Sequence, residues 1–129
     1  MMSLGGTIGS RAPHIWVKHK DRRISTLDLF GKRFVLIAGE YGDEWCNAAP
    51  KAASLVGVKL EAYRASPAGE LVCAKGEWES ASWISGGGAI LIRPDGFIAW
   101  RMWDKPDDLQ QKLTAVLKRV LCRDDQIVS

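Results

Sequence analysis

Two hydrophobic patterns alternate along the chain. Phe34-Val35-Leu36-Ile37-Ala38 and Ala89-Ile90-Leu91-Ile92 are unbroken apolar runs, whereas residues 43–56 and 109–121 space their apolar positions helically. A short, β-branched apolar run predicts a strand covered on both faces, as parallel sheets require. Within 43–56, Trp45, Ala48, Ala49, Ala52, Leu55 and Val56 fall mostly on one side, and Gly57 is a plausible end. Pro50 lies inside that stretch and predicts a late start or a kink. Leu109, Leu113, Val116, Leu117, Val120 and Leu121 predict the last helix. Asp107 and Asp108 open it and Lys118 and Arg119 close it, as the helix dipole favours.

The remaining elements are shorter. Ile15-Trp16-Val17 and Arg22-Arg23-Ile24 read as strands around a basic turn, and Ser25 to Gly31 as a capped single turn stopped by glycine. Val58 to Arg64 alternates and predicts a strand; Leu71-Val72-Cys73 predicts a short strand and Glu77 to Trp83 a short helix. Pro94-Asp95-Gly96 is a turn by composition, so Ala89–Arg93 and Phe97–Trp103 form a hairpin. A β-α-β unit followed by β-β-α is the thioredoxin-like arrangement. The expected fold is therefore an α/β, three-layer α/β/α sandwich with a mixed central sheet. Residues 1–8 read as a flexible lead-in or expression scar, 9–123 as one domain and 124–129 as a C-terminal tail.

Composition narrows the class. A chain of 129 residues with 47% hydrophobic and 26% charged residues is globular. Its apolar runs are too short to span a bilayer, and no secretory signal opens it. Three widely spaced cysteines, Cys46, Cys73 and Cys122, suit a reducing, cytoplasmic setting. The net charge of +3 is uneven: residues 11–33 hold seven Lys/Arg against Asp21 and Asp28, a balance of +5. The densest piece, Lys18-His19-Lys20-Asp21-Arg22-Arg23, has only Trp16 nearby. It reads as a solvated turn rather than a nucleic-acid surface.

Candidate chemistry is sparse. Trp45-Cys46 follows a buried strand at a helix start, where a thiolate is stabilised. Dithiol exchange needs a second cysteine three residues on, and that position is Ala49. The proline that redox members keep before the next strand is replaced by Ser85-Gly86-Gly87-Gly88, so the redox motif is absent. Cys46 is either a single-thiol peroxidatic or sensor residue or a packed cysteine. The glycine run precedes a strand, not a helix, and reads as a close backbone approach rather than a phosphate cradle. His14, His19 and the cysteines lack zinc-type spacing; His14 reads as a hydrogen-bonded structural residue. Trp100 and Trp103 read as core or interface anchors. No catalytic, cofactor-binding or metal-ligating residue is assigned.

Three blocks carry a family resemblance: Gly9-Ser10-Arg11-Ala12-Pro13-His14-Ile15-Trp16, Ser25-Thr26-Leu27-Asp28-Leu29-Phe30-Gly31 leading into Phe34–Ile37, and Gly88 to Arg101 with its Arg93-Pro94-Asp95-Gly96 turn. In this order and spacing the chain resembles the C-terminal domain of FAD-dependent aromatic-ring hydroxylases, the phenol-type and polyketide-type flavoprotein monooxygenases. The resemblance covers about residues 9–121. It implies a thioredoxin-like fold without thioredoxin chemistry, in a parent enzyme whose preceding domains hold FAD and substrate and draw electrons from NADPH or NADH. The flavin fingerprint has no matching position here. The implied role is structural: packing on the flavin and substrate domains, or subunit contacts. Two alternatives stay open, a free-standing thiol enzyme using Cys46 and a module docking a partner through the aromatic hairpin.

Overall fold

The computed structural model describes residues 10–128, with the side chains of 121–128 left aside. The expected lead-in, residues 1–8, lies outside the described residues, as does Gly9. The elements follow in the order β1 (Trp16–His19), β2 (Arg22–Ser25), a 3-10 turn (Thr26–Leu29), β3 (Phe34–Ala38), α1 (Asp43–Val56), β4 (Leu60–Ser66), β5 (Leu71–Val72), α2 (Glu77–Ser82), β6 (Ala89–Ile92), β7 (Ile98–Met102) and α3 (Leu109–Val128). The stretch expected as a tail from residue 124 lies on α3 as far as Val128.

One mixed sheet of seven strands joins them in the order β2-β1-β5-β4-β3-β6-β7. β3 runs parallel to β4, with α1 as the crossover, and antiparallel to β6. The β6–β7 hairpin completes the far side. This is the thioredoxin-like sandwich, and the N-terminal β1–β2 hairpin widens its sheet by pairing Lys18 with Val72.

The unbroken apolar runs are explained by the layers. Phe34, Leu36, Ala38, Ala89 and Leu91 face α1 and α3. Val35, Ile37, Ile90 and Ile92 face the other way, onto Trp78 and Ile84 in and beyond α2 and onto Ala12, Ile15 and Val17 of the N-terminal segment. Every residue of β3 and β6 is buried. Each such Leu or Ile contributes about 1.5–3 kcal/mol. The ion pairs Arg33–Glu61, Arg64–Asp43, Arg93–Asp95 and Lys105–Glu44 lie at the surface, where solvent screens them, so the two cores decide stability.

Local signals set the boundaries. Ser25 Oγ accepts the Leu27 N–H at 3.0 Å and Asp28 accepts the Ser25 N–H at 3.0 Å, a reciprocal cap that fixes the 3-10 turn. Pro50 neither delays nor ends α1, which spans Asp43–Val56. Its exposed ring only removes one helical donor. Several boundaries move from expectation: β1 is Trp16–His19, β4 runs from Leu60 to Ser66, α2 stops at Ser82, β7 spans Ile98–Met102, and α3 starts after Asp107 and Asp108 and continues past Lys118 and Arg119, which do not close it. Trp103, expected on a strand, is 63% exposed beyond its end, whereas Trp100 packs partly against the core.

Candidate functional site

Thiol chemistry in this fold belongs at the sheet end where α1 begins. β3 delivers the chain through Gly39–Gly42 into α1, placing Trp45 and Cys46 in its first turn. Trp45 is fully buried; its indole N–H donates to the Gly87 carbonyl at 2.8 Å and its ring meets Trp100 edge-on at 5.8 Å. The 85–88 loop is bonded on every side. The Gly39 N–H donates to Gly88 at 3.0 Å, the Tyr41 N–H to Gly86 at 2.8 Å, and the Ser85 N–H to Trp103 at 2.8 Å. The Ser85 hydroxyl donates to Asp104 at 2.9 Å. A Cβ on Gly88 would sit 2.2 Å from the Trp103 carbonyl oxygen and 2.5 Å from that of Met102. The glycines serve close approach and lead into β6, not into a helix, so they form no anion cradle.

Cys46, next along α1, is partly buried. Burial, then the carboxylates of Glu70 and Asp43, push its thiol up from 9.0 to about 11 against the pull of Arg64. Arg64 is engaged by Asp43 and by the Ala68 carbonyl, each at 2.7 Å. Burial also pushes Cys73 up to about 11, although a backbone hydrogen bond from Trp78 opposes it. Both are free thiols. Ala49, in the place of a resolving cysteine, is buried. Both groups are therefore protonated at neutral pH, and the thiol form is not the nucleophile. Cys122 lies among the side chains outside the described residues.

The other candidates are engaged elsewhere. His14 Nδ1 shares a hydrogen bond with Ser25 Oγ, and its ring meets Trp16 edge-on at 5.0 Å. His19 Nδ1 faces the Glu70 carbonyl at 3.4 Å. The Arg23 guanidinium stacks on Trp16 at 4.2 Å, within the exposed basic hairpin. Asp107 and Asp108 line an open groove of about 570 Å³ with Glu44 and Lys51. Among the described residues no three His, Cys, Asp or Glu gather to hold a metal.

The opposite sheet end brings together the three blocks that the sequence singles out. The Ala12 N–H donates to Gly96, and the Ile98 N–H to Ser10, each at 2.8 Å; Arg11 pairs with Phe97 and lies 5.3 Å over its ring. Leu27 and Phe30 complete a groove of about 270 Å³ against Pro94-Asp95-Gly96.

Sequence reasoning missed Trp83 and Tyr41. Trp83 caps α2 with φ 59, a left-handed conformation, and its indole is 51% exposed. Tyr41 is 67% exposed, with its ring against Gly86. The available signal was a helix that must stop before Ile84 with no glycine at hand to cap it.

A family model for aromatic-ring hydroxylase C-terminal regions matches residues 6–123. The chain belongs to that family. Over 118 residues this aromatic-ring hydroxylase C-terminal domain is 42% identical to the 4-methyl-5-nitrocatechol 5-monooxygenase of a Burkholderia species, covering 92% of this chain and 22% of that protein. It is 40% identical over 120 residues to the tetracenomycin A2 monooxygenase-dioxygenase of Streptomyces glaucescens, covering 93% and 21%. The crystal structure of aklavinone-11 hydroxylase in a ternary complex with FAD and aklavinone superposes with a TM-score of 0.86 at 39% identity, over 92% of this chain and 22% of that one. The domain thus spans about a fifth of the length of the relatives it matches.

Among the described residues the glycine run Gly86–Gly88 opens β6 rather than a helix, so it does not form the glycine turn at a helix start with which dinucleotide folds hold a pyrophosphate. Among the described residues no helix is long and apolar enough to cross a membrane.

Proposed function

We propose that this chain is the non-catalytic C-terminal domain of an FAD-dependent, NAD(P)H-using aromatic-ring hydroxylase of the phenol type. Its work is to pack against the flavin- and substrate-binding part of the parent polypeptide, or to hold subunits together, in the cytoplasm. The observation that carries this reading is the match of more than nine-tenths of the chain to about a fifth of enzymes such as the 4-methyl-5-nitrocatechol 5-monooxygenase. The protonated state of Cys46 and Cys73 supports it and counts against a thiol peroxidase or redox sensor. Docking of a separate partner is the second reading, favoured by the exposed indoles of Trp83 and Trp103 around one groove.

The test compares this chain with the longer polypeptide that contains it. The longer polypeptide is expected to retain FAD and to hydroxylate a phenol at the expense of NADPH or NADH. The 129-residue chain is expected to do neither. Turnover of a phenol by the chain alone, supplied with FAD and NADPH, would overturn the non-catalytic reading.

A further inference from the structure

We infer that the groove between Arg11–Ala12, Leu27–Gly31 and Pro94–Gly96 is the seat of the preceding, flavin- and substrate-binding part of the parent polypeptide. The inference rests on the function proposed above and names the surface through which it operates.

The groove is preformed. One wall is the incoming segment, fastened to the hairpin by the Ala12–Gly96 and Ile98–Ser10 hydrogen bonds. A second is the capped 3-10 turn, held by the reciprocal Ser25–Asp28 bonds. The third is the β6–β7 turn, closed by the Gly96 N–H donating to Arg93 at 2.9 Å and braced by the Arg93–Asp95 ion pair. Leu29, one turn position from the groove, packs into the core, while Leu27 stays 47% exposed at the rim. The body of the groove is apolar, from Leu27, Phe30 and Pro94, and Arg11 and Asp95 stand at its mouth as exposed charges of opposite sign. That combination suits an apolar side chain flanked by polar backbone.

The occupant follows from the family placement and from where the chain enters. The domain corresponds to the C-terminal part of proteins about five times its length. The remainder of such a protein reaches the fold through the residues before Ser10, and the Ser10 carbonyl is bonded to Ile98 beside this groove. A groove of about 270 Å³ is small for a freely diffusing protein partner. A partner tethered a few residues away acts at an effective concentration in the millimolar range, and a single seated side chain then suffices. The exposed Trp83 and Trp103 stand at the other end of β7, about a five-residue strand length away.

The experiment places a photo-crosslinking amino acid at position 27, and separately at position 83, in the full polypeptide that contains this chain, with flavin absorbance recorded on each sample. Position 27 is expected to link to the flavin- and substrate-binding part that precedes this chain's residues at least tenfold more than position 83 does. Links from position 27 confined to residues 1–129, or made to a second copy, in a sample carrying flavin overturn the inference and leave the functional reading standing. A full polypeptide that carries no flavin overturns both. In the same protein, Leu27→Asp is expected to raise the rate of proteolytic cleavage just before Ser10 about tenfold, the effect of unseating one apolar side chain. Leu27→Ala is expected to do so in part. Unchanged cleavage in both variants overturns the inference.

Discussion

At the sheet end where α1 begins, backbone meets backbone. The 85–88 loop touches Gly39, Tyr41 and Trp103 through main-chain hydrogen bonds, and the Trp45 indole closes the remaining gap on Gly87. At the entry end the main chain also pairs, through Ala12 and Gly96, but side chains stand apart and leave an apolar groove between three segments. The first end is where this fold elsewhere keeps a reactive thiolate. Here its space is filled by structural contacts, and its cysteine is held protonated by burial and by Glu70 and Asp43. The difference teaches that the two ends of one sheet close differently: around the 85–88 loop main-chain hydrogen bonds and the Trp45 indole fill the space, whereas at the entry end three paired segments leave an apolar groove.

The sharpest way to break this comparison is to add one methyl group at each end. Gly88→Ala places a Cβ against two backbone oxygens that cannot swing aside, and is expected to cost about 3 kcal/mol. Gly31→Ala meets nothing within 4 Å and carries only the strain of φ 121, about 1 kcal/mol. Urea denaturation of both variants measures the gap. Equal losses would show that the packed end is no tighter than the open one.

The next effect is kinetic. Because the Cys46 thiol rises from 9.0 to about 11, its alkylation at pH 8 is expected to run about a hundredfold slower than that of an ordinary cysteine. A pH series with mass-spectrometric readout locates the midpoint. The same shift fixes a sign for stability. The folded state keeps its proton between pH 9.0 and 11 while the unfolded state loses it, so stability falls as pH rises through that window. A midpoint below 8 would reopen the redox reading.

The smallest effect concerns Trp83. Its left-handed φ is a conformation that glycine adopts freely, and half of its indole contacts nothing in the domain. Trp83→Gly is expected to leave the melting temperature unchanged or to raise stability by up to about 1 kcal/mol. A loss larger than that would make the indole a structural part of the packed end rather than an exposed rim.

Much of the fold was legible because its signals are local. The β-branched runs of β3 and β6 need no partner to be recognised as two-faced strands, and the period of 43–56 marks the extent of α1, although Pro50 left its start open. Pro50 was ambiguous because tolerance of a helical proline depends on what surrounds its ring. Pairing of Lys18 with Val72 is a contact over 54 positions, which no periodicity encodes. The same holds for the entry groove: Arg11 and Phe97 are 86 positions apart, and only the folded sheet shows that they touch. The fate of Cys46 was half legible. Ala49 removes the second sulfur in the sequence itself, but the carboxylate of Glu70 reaches the thiol only after β4 and β5 have folded beside α1.

The order of the strands has one more consequence. A sheet of seven strands presents two outer borders, and each is guarded by a different means. Along the start of β7 the incoming Ser10–Ala12 segment occupies the hydrogen-bonding positions itself. Along β2 the border is open, and Arg22 and Arg23 project from it with Lys18 and Lys20 close by. Another copy approaching that border would bring the same cations face to face, at a spacing where like charges repel. Salt screens that repulsion, so association through this border is expected to rise with ionic strength, which light scattering of concentrated solutions measures.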